Sequence, residues 1–147
     1  MMVFLLDVNV LVAMAWPSHI AHQPVERWLA RHAQAGWASC PFTQAAFVRV
    51  LSNPAFSSDA LTVQDAAAVL SENLNHPAHR FWADDISFNE AISAFSGQLV
   101  GHKQVTDAYL LGLTLHNKGK LATLDRGILD LLPPDSPYRR GVELIGK

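Results

Sequence analysis

Three aspartates occupy positions suited to metal-assisted hydrolysis. Asp7 follows the apolar run Val3-Phe4-Leu5-Leu6, and Asp125 follows Leu121-Ala122-Thr123-Leu124. Each run is short and uninterrupted, the pattern of a strand buried on both faces of a parallel sheet. A sheet built from them presents both carboxylates on one edge, although the two residues lie far apart in the chain. Asp107 follows Thr106 at the start of an apolar helix, where free backbone N–H groups and the helix dipole tolerate negative charge. Three carboxylates drawn together repel one another, so protons, basic side chains or a hard cation must neutralise them. Magnesium and manganese prefer oxygen ligands and leave coordination sites for water and phosphate oxygens. Such an ion lowers the pKa of a bound water and offsets charge on a scissile phosphate.

Taken singly, each aspartate is explained as well by local structure: Asp7 and Asp125 as caps of the helical turns after them, Asp107 as a helix-opening residue. The combination carries the functional reading. The other titratable groups are less pointed. His19, His22, His32, His76, His79 and His116 show no paired zinc spacing, and Trp16, Trp28, Trp37 and Trp82 read as core rather than as stacking platforms.

The elements that must position the acids alternate between strand and helix. After the first strand, Val8 to Ala15 reads as a short helix stopped by Trp16-Pro17. His19 to Ala35 reads as a second helix with Ser18 as N-cap, its Val25, Trp28, Leu29 and Ala33 forming one apolar stripe, closed by Gly36. Trp37 to Cys40 is a second short strand, and Pro41-Phe42-Thr43 leads into a helix through Leu51 with Thr43 as cap. Thr62-Val63-Gln64-Asp65 resembles a capping box opening a helix toward His76, and Pro77 ends it. His79 to Ala83 reads as a strand. Ser87-Phe88-Asn89-Glu90 is a better capping box, for a helix ending near Gly97. The loop of residues 100–104 precedes a helix from Val105 to Asn117, stopped at Lys118-Gly119, and residues 141–145 form a last strand. This alternation predicts an α/β fold in which ligands sit beyond the carboxyl ends of parallel strands.

Composition bounds the rest. The 147 residues fit a single domain spanning 1–147; they are 50% hydrophobic and 16% charged, which is ample for a core. The formal net charge of −2 excludes a broadly basic nucleic-acid coat, so any RNA contact must be local. The lone Cys40 excludes an internal disulfide and a Cys-rich zinc site and suits a reducing compartment. The apolar opening is interrupted by Asp7 and Asn9 and lacks a basic start, so neither an export signal nor a membrane span is expected.

Four blocks resemble the PIN-domain family, and within it the VapC-type toxins of toxin–antitoxin pairs. In order they are Leu6-Asp7-Val8-Asn9-Val10-Leu11, the stretch Cys40-Pro41-Phe42-Thr43-Gln44 through Arg49-Val50-Leu51-Ser52-Asn53-Pro54, Thr106-Asp107-Ala108-Tyr109-Leu110, and Leu121-Ala122-Thr123-Leu124-Asp125-Arg126. The resemblance covers nearly the whole chain. It implies a PIN-like α/β/α sandwich with a central, mainly parallel sheet flanked by helices. It further implies a cytoplasmic, usually dimeric endoribonuclease, dependent on Mg2+ or Mn2+ and held inactive by a VapB-type antitoxin. Asp7, Asp107 and Asp125 match the family's acidic metal site. Asn9 and Thr123 match polar positions beside it, and Thr106 adjoins the third acid. The departure is Gln44, where many PIN domains carry a glutamate; Gln keeps an oxygen acceptor and loses the charge. Arg49, His102, Lys103 and Arg126 are candidates for RNA or phosphate contact, although a stem-covering role for Arg49 and loop polarity for the others explain them as well.

Two other readings compete with the nuclease. Gln44 motivates a PIN-like module that has lost chemistry and binds RNA or protein only. A phosphotransferase of the haloacid dehalogenase kind also places an Asp after its first strand, yet it needs a second Asp where this chain has Asn9. The RNA target and the cleavage position are not legible in the sequence.

Overall fold

A computed structural model describes residues 2–99 and 101–146, with the side chain of Lys103 outside the described part. The elements in chain order are β1 (Phe4–Leu6), α1 (Val8–Ala15), α2 (His22–His32), β2 (Trp37–Ser39), α3 (Pro41–Leu51), α4 (Val63–Leu74), β3 (His79–Phe81), α5 (Phe88–Ile92), α6 (Val105–His116), β4 (Lys120–Thr123) and β5 (Val142–Leu144). Short 3-10 turns fill several of the connections, among them Ser93–Gln98 after α5 and Arg126–Leu131 after β4.

The strands form one sheet in the order β3-β2-β1-β4-β5, and every pairing is parallel. Side chains alternate across it. Phe4, Leu6, Trp37 and Ala122 point into a core shared with α1, α2, α3 and α4. Leu5, Ala38 and Leu121 point into a second core shared with α5, α6 and the Arg126–Leu131 turn. Leu5 and Leu6 are both fully buried, so β1 contacts helices on both faces. That is why its sequence is continuously apolar rather than alternating. On the second face, α6 approaches α5 so closely that a Cβ on Gly112 would stand 1.9 Å from the Ala91 carbonyl oxygen. Only glycine fits there, and the contact fixes the height at which α6 presents its first turn.

From β1 the chain winds outward through β2 to β3, then returns across the sheet to lay β4 on the other side of β1. The strand order reverses between β1 and β4, and in open parallel sheets that is where a crevice opens beyond the strand ends.

Several expected boundaries move, for local reasons. The second helix starts at His22 rather than His19, and Ser18 does not cap it; its N-cap is Ala21, which offers no side-chain bond. Instead Pro17 to Ala21 form a tight turn in which the Ala21 amide donates to His19 Nδ1 (3.0 Å) and the His22 ring meets the Ala13 carbonyl (2.7 Å). The third helix starts at Pro41 with Cys40 as N-cap. Thr43 therefore lies inside it, where its hydroxyl accepts from the Cys40 amide (3.0 Å). The helix expected to end near Gly97 runs only from Phe88 to Ile92 before tightening into the 3-10 turn. The caps at Thr62 and Ser87 form as expected, each hydroxyl accepting from the amide three residues on.

Candidate active site

Asp7 caps α1 directly after β1, and its carboxylate is held at both oxygens. Oδ1 accepts from the Val8 amide (2.7 Å) and Oδ2 from the hydroxyl of Thr123 (2.7 Å). Thr123 is the last residue of β4 and is fully buried. Its Oγ1 also accepts from the Asp125 amide (3.0 Å) and from the Asn9 side-chain amide (3.4 Å). Asn9 closes the ring by accepting from the Leu124 amide through Oδ1 (3.2 Å). One hydroxyl thus locks the end of β1 to the end of β4, and two of the three expected acids lie on either side of it.

Asp125 turns the chain out of β4 and accepts from the Gly127 amide through Oδ1 (2.8 Å), so the residue is anchored although exposed. Asp107 enters from the other layer, on the first turn of α6. Its carboxylate takes no hydrogen bond among the described residues, and its pKa is pushed up to about 6 by burial first, then by the charges of Asp7 and Asp125. Asp7 is likewise raised, mainly by burial, with Asp125 adding repulsion against the pull of Thr123 and Val8. The three carboxylates act on one another electrostatically. They also line one cleft of about 340 Å³, together with Asn9, His19, Phe56 and the valines at positions 8, 12 and 50. Among the described residues no three His, Cys, Asp or Glu side chains are gathered tightly enough to form a ready ligand cluster.

The remaining sequence candidates fall elsewhere. Thr106, next to Asp107, faces a separate, mostly apolar cleft lined by Phe42, Asp84, Phe88, Val105 and Tyr109. There the Tyr109 hydroxyl donates to Asp84 (2.7 Å). Gln44 does not line the acid cleft; its side-chain nitrogen donates to the Ser39 hydroxyl (3.0 Å), which in turn meets His79 Nε2 (2.8 Å). Arg49, His102 and Arg126 are exposed and outside the cleft lining, and the side chain of Lys103 lies outside the described residues. A larger cavity, about 530 Å³ between α2 and α4, contains none of the three acids. Its lining is mixed, with Leu29, Ala33 and Trp37 facing Glu26, Glu72 and His76.

His19 and Phe56 are the cleft residues that the sequence did not single out. The one available signal, for His19 alone, was Trp16-Pro17, which stops α1 and leads into the turn that carries it.

A sequence profile of the PIN domain matches residues 4–131. Ribonuclease VapC38 of Mycobacterium tuberculosis is 44% identical over 127 residues, covering 86% of this chain and 88% of that protein. Ribonuclease VapC29 of the same species is 40% identical over 130 residues, covering 88% and 91%. In three dimensions the chain is similar to a chain in the crystal structure of VapBC2 from Rickettsia felis bound to a promoter DNA fragment. That match has a TM-score of 0.64 at 12% identity and covers 98% of this chain and 99% of the other. The profile spans β1 to the turn after β4, and with these relatives it shows that the chain belongs to the PIN domain family.

Proposed function

We propose that the protein is a metal-dependent endoribonuclease, the toxin component of a toxin–antitoxin pair. The observation that carries the chemistry is that the carboxylates following β1 and β4 and the one on the first turn of α6 line a single cleft at the reversal of strand order. An all-oxygen, negatively charged donor set of this kind fits Mg2+ or Mn2+ and does not fit zinc.

Asp7, Asp107 and Asp125 would hold the ion. When bound, it supplies an activated water and offsets charge on the phosphodiester. The chain's own contribution is orientation. Thr123 and the Val8 amide fix both oxygens of Asp7, the Gly127 amide fixes one oxygen of Asp125, and Asn9 ties the two strand ends together. Asp107 has no such tether among the described residues, so it is the carboxylate freest to adjust as charge is neutralised. Val12, Val50 and Phe56 form an apolar wall that strengthens electrostatic interactions along that side of the cleft.

The names of the relatives support RNA as the substrate, and the VapBC2 assembly supports a VapB-type antitoxin as partner. A homodimer in the cytoplasm follows from the same family reading. Among the described residues no helix is long and apolar enough to cross a membrane. Gln44 bonds to Ser39 instead of lining the cleft, so the absence of a fourth acid leaves the trio's arrangement intact.

The test is cleavage of total RNA by the purified protein, with and without a chelator, beside Asp7→Asn, Asp107→Asn and Asp125→Asn. The expected result is metal-restored cleavage lost in each variant, with the fold retained by circular dichroism. Cleavage at an undiminished rate in any one variant removes that residue from the ligand set, and chelator-resistant cleavage removes the metal.

A further inference from the structure

The acid cleft has a second half that hydrolysis does not use. It runs along α1, from Asp7 at the N-terminal end to His19 in the turn beyond the C-terminal end, and α1 with its eight residues spans about 12 Å. That length is more than a single phosphate needs. Along it the lining changes from carboxylates to Val12, Val50 and Phe56, with His19 beside them.

Two details give this half a chemistry. The Nδ1 of His19 accepts from the Ala21 amide (3.0 Å), so in the neutral ring the proton resides on Nε2 and makes that atom a donor. The Asn9 amide is occupied with Thr123 and Leu124, which leaves His19 as the one side-chain N–H donor among the described lining residues not engaged within the strand ends. Phe56 is 38% exposed and braced by Trp16 in an edge-to-face contact, with centroids 5.7 Å apart at 89°. A braced, exposed ring at the mouth of a cleft offers a surface on which an unstacked base can lie.

We propose that His19 and Phe56 form a subsite for the nucleotide flanking the scissile phosphate of single-stranded RNA, Phe56 stacking its base and His19 Nε2–H donating to its phosphate. The inference rests on the nuclease reading above but makes a separate claim. Sequence tolerance follows from it, because every base has a face to stack while no group in this half reads a base edge.

The test is fluorescence anisotropy with a labelled short oligoadenylate and with an abasic ribose-phosphate strand of equal length, using calcium as the divalent ion. Phe56→Leu, which keeps apolar volume, should bind oligoadenylate about tenfold more weakly and the abasic strand equally well, and Phe56→Tyr should bind both as the parent does. His19→Ala should weaken both strands about fivefold, with His19→Gln recovering most of the loss. Equal loss of both strands in Phe56→Leu, with an unchanged melting temperature, overturns the stacking role. Unchanged RNA binding in both Phe56→Leu and His19→Ala overturns the subsite and leaves these residues to a protein partner. No binding of either strand by the parent protein overturns it as well. If the base-dependent loss appears while no RNA is cleaved, the subsite stands and the nuclease reading fails.

Discussion

Two buried hydroxyls end the strands on either side of β1, and they organise opposite kinds of site. Thr123, at the end of β4, gathers Asp7, Asn9 and the backbone of Asp125. Ser39, at the end of β2, gathers Gln44 and His79. Both side chains are completely buried and both link an adjacent strand to a helix start. The difference lies in what they hold. Thr123 holds the carboxylate of Asp7, whose pKa is raised by burial; Ser39 holds an amide and an imidazole whose pKa is lowered by burial. A hydroxyl at a strand end is thus a general anchoring device, and the residues one position on decide whether the result is charged and reactive or neutral and structural.

The largest way to break the comparison is Thr123→Val. The change is nearly isosteric, yet it leaves the Asp7 carboxylate, the Asp125 amide and the Asn9 amide without their shared partner. We expect a loss of about 2–3 kcal/mol in stability by denaturant titration, together with a roughly 10–100-fold fall in metal affinity or cleavage. A stable, fully active Thr123→Val protein would show that the hydroxyl only fills space.

A smaller effect comes from charge. Asp107 titrates near 6 in the folded protein against 3.8 for the free side chain, so between these values the native state holds a proton that the unfolded chain has released. The contribution of Asp107 to stability of the metal-free protein is therefore full below about pH 4 and is lost as the pH rises through about 6. Asp107 is partly exposed, so the full linkage value must be discounted to about 2 kcal/mol. Thermal melts across this window should show the decline, and Asp107→Asn should flatten it. A stability that rises with pH over the same window contradicts the raised Asp107 pKa.

The neutral station answers more weakly. Ser39→Ala should cost about 1 kcal/mol and leave cleavage nearly unchanged. Gln44→Glu sharpens the contrast by giving this station a charge: the His79 titration, followed by NMR, should move up from its lowered position, while metal binding at the aspartates changes little. If Gln44→Glu instead tightens metal binding strongly, the two stations are one site and the distinction fails.

Much of this was legible in the sequence because it depends on local pattern. Continuous apolar runs mark doubly covered strands, and an acid placed directly after such a run must emerge at the sheet's edge, as Asp7 does at the cap of α1. The start of α2 lies later than expected because the local turn at His19 and the bond of His22 to the Ala13 carbonyl outweigh the capping propensity of Ser18. Thr43 looked like a cap and is an interior residue because proline at the first helical position sets the start two residues earlier. Phe56 and His19 were invisible as site residues, since no periodicity reports which loop folds over a strand end. Nor could spacing reveal that Gln44 bonds to Ser39, a contact settled by how α3 packs on the end of β2.

Three carboxylates from separate elements must behave as a single centre of negative charge if the cleft is to hold a divalent ion. The most direct measurement is the carboxyl 13C titration of Asp107, in the parent protein, in Asp7→Asn and after addition of Mg2+. The expected midpoint is near 6, falling toward the ordinary aspartate range in the variant and dropping further when the ion binds. A midpoint close to 4 that ignores both changes would place the three acids in separate environments and contradict the site.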